Sequence, residues 1–162
     1  MDFSAWGSTF SALPMDWIII AILIALIALD TLRSGTARAA ALMLSLPAAL
    51  FLTGVLPKAT LIGPASAQFT APLAQVAIFV IIFGALYIVA HRTIFSYSEG
   101  APVIQAIITG LAATIVLVVV FLQVSALQSL WSFGPQVQAV FGEAYRFWWL
   151  LLSYAALAFV RS

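Results

Sequence analysis

Side chains able to carry chemistry are few in this sequence, and they gather at a handful of places. The densest is ALDTLRSGTARAAAL, Ala28 to Leu42, where Asp30, Arg33 and Arg38 fall within nine positions. An ionisable group inside a membrane is a default candidate for moving protons or ions. Asp30 is therefore the candidate relay residue. Arg33, three residues on, lies within ion-pair reach on a helix, so the competing reading is a helix-end anchor paired with arginine. Glu143 and Arg146 repeat that spacing. His91, the single histidine, adjoins Arg92; a metal site needs several ligands, and no cluster surrounds it. With no cysteine there is no thiol nucleophile, disulfide or thiolate metal site. Serines are plentiful, but they form neither a G-x-S-x-G elbow nor a Ser-Lys pair. Phosphate-binding and dinucleotide-binding glycine motifs are missing. The expectation is a protein that is not an enzyme and uses no cofactor or metal.

The elements that must position these residues follow from composition. The chain has 162 residues, 65% hydrophobic and 7% charged, with a mean hydropathy of +1.19. Soluble domains are about half apolar and a quarter charged, so the bilayer is the expected solvent. A membrane-crossing helix needs about 20 mostly apolar residues. Spans are predicted at about 15–32, 37–56, 72–90, 102–122 and 145–160. The fourth has the option of continuing to Gln128, and the fifth must tolerate Arg146 near its start. The fold class is thus all-α, a polytopic bundle of four to five transmembrane helices. An open sheet leaves unpaired edges in lipid, and the alternating polar positions of a barrel are missing. A net charge of +1 offers no basic patch for nucleic acid.

Residues 1–14 carry no Lys or Arg, so the first apolar run lacks the positive flank of a secretory signal and is expected to be retained. Phe3, Trp6, Phe10 and Leu13 suggest a short segment lying along the outer interface. The remainder, 15–162, is read as one transmembrane domain. Lys and Arg in short loops mark the cytoplasmic side. Five spans place Arg33, Arg38, Arg92 and Arg161 on one side, against Lys58 and Arg146 on the other. The N-terminus is therefore expected outside and the C-terminus in the cytoplasm. Trp6, Trp17, Trp131, Trp148 and Trp149 then fall near the outer surface, and Tyr87 and Tyr97 near the inner one.

Lipid supplies no hydrophobic drive between helices, so small residues that permit close approach take on that role. Ala37, Ala41, Ser45, Ala49 and Thr53 recur every four positions in the second span. Ala106, Gly110 and Thr114 do the same in the fourth, and the first offers Ala21 and Ala25. Close-packed faces are predicted on the second and fourth helices. Pro47 interrupts the second; it is a packing kink or, as in some transporters, the mark of a midplane binding site.

Between the first two spans, Gly35 suits the left-handed position that ends a helix, and Thr36 suits the cap of the next. A tight cytoplasmic hairpin is expected, with Asp30 and Arg33 closing one helix and Arg38 opening the other. Arginines there favour anionic lipid headgroups. Met15-Asp16-Trp17, an apolar helix, Arg33-Ser34-Gly35-Thr36-Ala37-Arg38 and a second apolar helix together resemble the colicin V production protein (CvpA) family. The resemblance is specific over about Asp16 to Leu56 and rests on Arg33, Gly35 and Arg38 at the turn. The connection after the third span, with Arg92 and Gly100, matches the family's more basic, glycine-rich pattern thinly, and a fifth span departs from its usual four. The resemblance implies a bacterial inner-membrane protein linked to bacteriocin production or export and to envelope maintenance. It brings no catalytic residue.

Two functions remain open. One is a membrane scaffold or accessory subunit, partnered by the bilayer and by other membrane proteins or its own copies. The other is a small oligomeric transporter or channel using Asp30, Gln75, Gln105, Gln123 and the Pro47 kink.

Overall fold

The computed structural model describes residues 14–59, 69–93 and 100–161. The interfacial segment expected over residues 1–14 lies outside them except for Pro14, as do Trp6 and Tyr97. Regular structure among the described residues is helical throughout: α1 Met15–Ser34, α2 Thr36–Val55, α3 Pro72–Thr93, α4 Val103–Phe121, α5 Ser125–Gln128, α6 Pro135–Val140 and α7 Glu143–Arg161. A 3₁₀ turn, Leu56–Lys58, extends α2. The protein is an all-α bundle, and α1 to α4 are each long and apolar enough to cross a membrane. At about 1.5 Å per residue, such helices match the bilayer's hydrocarbon thickness of about 30 Å. α7 has 19 residues but opens on Glu143, Tyr145 and Arg146, which lowers its apolar content.

The centre of the bundle is α4. It packs against α1, α2 and α7, and ten of its residues, from Ala106 to Val120, are buried. Beta-branched valine and small alanine fill this interior in place of longer side chains, which lets three neighbours approach one helix. Gly110 marks the tightest point: a Cβ there would lie 2.9 Å from the Ile24 carbonyl oxygen and 3.0 Å from the Ala28 Cβ. Such near contact of backbones is the packing that membrane helices use. Ala21 and Ala25 lie on the exposed side of α1, whereas Ile20, Ala28 and Thr31 are buried. The face of α1 turned to α4 is therefore rotated from the one its small residues suggest.

In α2, Ala41, Ser45 and Ala49 are buried, with Ala37 and Thr53 half-buried at the ends of the stripe. Ala49 shares a core cluster with Ala112, Ala113, Val116 and Val120 of α4. Two hydroxyls in these faces turn back on their own helices, Ser45 donating to the Ala41 carbonyl at 2.7 Å and Thr114 to the Gly110 carbonyl at 2.8 Å, while the buried Thr109 hydroxyl has no hydrogen-bond partner among the described residues. The faces thus present small, effectively apolar surfaces.

α3 lies outside, packed mainly on α2, and Phe79 is its one buried residue. A ladder of rings, Phe79, Phe83, Tyr87 and His91, runs along it with centroids 6.5, 6.0 and 5.9 Å apart.

The fourth span does not continue unbroken to Gln128. Val124 is extended, at φ −90° and ψ 98°, and separates α4 from α5. The Leu122 carbonyl left open there accepts a hydrogen bond from the Gln128 side-chain amide.

Pro47 stands inside α2. It has no N–H to offer the Met43 carbonyl one turn earlier. In a bilayer that carbonyl needs another donor, and α7 provides one: the Tyr154 hydroxyl donates to it at 2.7 Å. Met43 is fully buried. The acceptor that Pro47 frees thus ties α2 to α7.

Candidate functional site

The polar groups collect at the two ends of the bundle. At the first end, Gly35 is the sole residue between α1 and α2. Its φ of 74° and ψ of 178° fall in a region open essentially to glycine alone. Its N–H donates to the Thr31 carbonyl at 2.9 Å. Two details differ from the sequence reading. Gly35 has an extended rather than helical ψ, and it occupies the N-cap position of α2 itself. Thr36 is already inside the helix, which carries no side-chain cap.

The ion pair also differs. Asp30 Oδ1 meets Arg38 Nη1 at 3.2 Å and accepts from the Ser34 hydroxyl at 3.4 Å. The chain reversal lays the first turn of α2 beside the last turn of α1, so Arg38 reaches Asp30 across the turn in place of Arg33. Arg33 itself is exposed. Asp30 and Arg38 are each about half exposed, 48% and 51%, at the facing ends of their helices.

The stretch leading into α4 rests on this turn. The Ala101 N–H approaches the Thr31 carbonyl at 3.4 Å, and a Cβ on Gly100 would overlap the Leu32 carbonyl. Gly100 is thus needed for a close backbone crossing, a role that a lone glycine in a loop does not announce.

α3 completes this end. Arg38, Tyr87, Ile88, His91 and Arg92 border an open cleft of about 300 Å³. A narrower hollow of about 170 Å³ lies between α1, α2 and α3, with Leu26, Ile27 and Leu42 among its walls and Asp30 at its rim. Arg38 and Tyr87 line both.

At the opposite end, residues 122–142 fold over the helix termini. Asp16 Oδ2 accepts the Gly134 N–H at 2.6 Å, the Trp17 indole donates to Gln136 at 3.3 Å, and the Trp149 indole donates to the Val140 carbonyl at 2.8 Å. Phe133, Val137 and Phe141 bury themselves against Ile20, Val118, Val119 and Leu122. Glu143 and Arg146 form an ion pair at 3.8 Å, and Arg146 also donates to the Phe141 carbonyl at 3.3 Å. The Asp16–Gly134 bond spans 118 positions, a separation no local spacing rule reaches.

A cavity of about 370 Å³ opens between α2, α3 and α5 at this end. Leu50, Phe69 and Ile78 give it apolar walls; Thr53, Gln75, Gln123 and Ser125 give it neutral polar groups. It therefore suits an uncharged or amphiphilic guest. The structure brings Gln75 and Gln123 together here. Gln105 lies in the first turn of α4 and Asp30 at the opposite end, so neither lines this cavity.

No protein-family model, curated protein or solved structure matches the chain.

Proposed function

We propose that this multi-pass membrane protein is a non-enzymatic scaffold or accessory subunit of the bacterial inner membrane. In this reading it is CvpA-like and serves bacteriocin production or export and envelope maintenance. Its N-terminus is outside and its C-terminus in the cytoplasm. The observation that carries the reading is the filling of the bundle's middle: α4 packs against three helices and its buried residues are Ala, Gly, Val and Thr. Charged side chains among the described residues stand at the two ends. A central helix packed in this way supports holding and presenting neighbours more than conducting solutes. The peripheral α3, with Leu73, Val80, Ile81 and Val89 exposed, is the face offered to such neighbours or to further copies.

Crosslinking in native membranes followed by purification tests this function. Adducts with other membrane proteins or with a second copy are expected. A chain that runs as a monomer and crosslinks to nothing overturns it.

The cavity between α2, α3 and α5 favours a second reading, an oligomeric transporter or channel, with access from that end. Solute and proton flux in liposomes decides between the two. Flux that persists in Asp30→Asn eliminates Asp30 as a relay.

A further inference from the structure

We propose that the groove between α1, α2 and α3 at the Gly35 end binds one anionic phospholipid, with its phosphate at the Arg38–His91–Arg92 mouth and an acyl chain along the apolar wall. The groove is inferred from two neighbouring hollows that share Arg38 and Tyr87 as lining residues. Its mouth is lined by cationic residues from two different helices, Arg38 of α2 and Arg92 of α3, and by His91. Asp30 meets Arg38 through Nη1. A guanidinium carries five N–H donors arranged to match phosphate oxygens, so the bridge to Asp30 orients Arg38 without exhausting it.

The second hollow adds an apolar wall, Leu26, Ile27 and Leu42, beside the bridged Asp30 and Arg38. Leu26 and Ile88 are 58% and 55% exposed, facing the region where lipid chains lie. A free phosphate or an acidic peptide would satisfy the mouth and leave the apolar part unfilled. A phospholipid satisfies both in one molecule. Selection for a net anionic headgroup follows from charge, because a choline group would place a second cation against Arg38 and Arg92. Basic clefts between helices at a membrane face are suited to such headgroups. The inference is independent of the scaffold reading, since transporters and scaffolds alike hold lipids.

The test is native mass spectrometry of the full chain released from neutral detergent, after equilibration with dioleoyl phosphatidylglycerol or dioleoyl phosphatidylcholine. One phosphatidylglycerol per chain is expected to remain bound, with phosphatidylcholine lost. Arg92→Gln, at an exposed helix end, should weaken retention roughly tenfold, the loss of a charged hydrogen bond. Leu26→Trp, which fills the apolar part from an exposed position, should also weaken it. Arg33→Gln, outside the groove, should leave it unchanged. Thermal unfolding of each variant in phosphatidylcholine nanodiscs, expected to match the parent, separates lost binding from lost folding. Equal retention of the two lipids overturns the proposal. So does an effect of Arg33→Gln as large as that of Arg92→Gln, which means diffuse surface charge. Displacement of the lipid by inorganic phosphate or a polyglutamate peptide, unaffected by Leu26→Trp, assigns the mouth to a different ligand and also overturns it.

Discussion

Tyr154 and Pro47 show how one residue's deficit is met by another far away. The Met43 carbonyl lacks its helical donor because of Pro47, and the Tyr154 hydroxyl supplies one at 2.7 Å. Tyr154→Phe should therefore destabilise the bundle by about 1 kcal/mol, within the range of hydrogen bonds between membrane helices. In a Pro47→Ala background, residue 47 regains an N–H for that carbonyl, and the cost of Tyr154→Phe should fall toward zero. Unfolding in mixed micelles followed by circular dichroism measures both; an equal cost in the two backgrounds refutes the link. Asp30→Asn removes a half-exposed bridge, and its effect should stay below about 1 kcal/mol. Asp30 also marks the limit of reading charges from sequence. Its spacing to Arg33 is a sound local rule, but the reversal at Gly35 brings Arg38 closer, and that geometry exists only once two helices are side by side. Asp16 and Tyr154 are further cases. Each bonds a backbone group more than a hundred positions away, and no residue type along the chain announces those partners.

At the scale of elements, the helices themselves were legible because membrane spans declare themselves by length and unbroken apolarity. Their contact faces were less so. Small residues mark α2 and α4 correctly as having buried stripes, yet on α1 they mark the exposed side, since alanine is tolerated equally toward lipid and toward a neighbour. The α4–α5 break was hidden for a related reason: valine, which is extended at position 124, is equally at home in the apolar helix before it. Glycines separate crowded from open faces by experiment. Gly110→Val forces a side chain into the α1 backbone and should cost about 2 to 3 kcal/mol, as overpacking does. Gly84, in α3, has nothing within 4 Å of the place its Cβ would occupy. Gly84→Ala should raise stability by several tenths of a kcal/mol, the gain in helix propensity. The same micelle unfolding series reads both, and a neutral Gly110→Val would remove the close α1–α4 approach from the account.

For the molecule as a whole, the bundle sorts its polar groups by end. Asp30, Arg38 and Arg92 share one end; Asp16, Gln123 and Arg146 share the other. The chain has no cysteine, so each introduced cysteine reports on one position alone. Ser34→Cys and Thr93→Cys should react with a membrane-impermeant maleimide only after the inner side is opened. Ala59→Cys and Ser129→Cys should react in intact cells. The opposite pattern inverts the proposed orientation while keeping the pairing of ends, and a mixed pattern within a pair would contradict the bundle itself. Which residues share an end was legible from sequence, because successive spans alternate direction. The central packing of α4 was not predictable, because all four spans are similarly apolar and hydropathy does not rank them by burial.

The bond from Tyr154 to Met43 also sets a clock on assembly. The two residues are 111 positions apart, and at about 5–20 residues per second of synthesis the hairpin exists for about 6 to 22 seconds before its donor is made. Through that interval the Met43 carbonyl of the nascent α2 is without its Tyr154 donor. The tie to α7 is therefore a latch thrown late, closing only after α1 to α4 have been made.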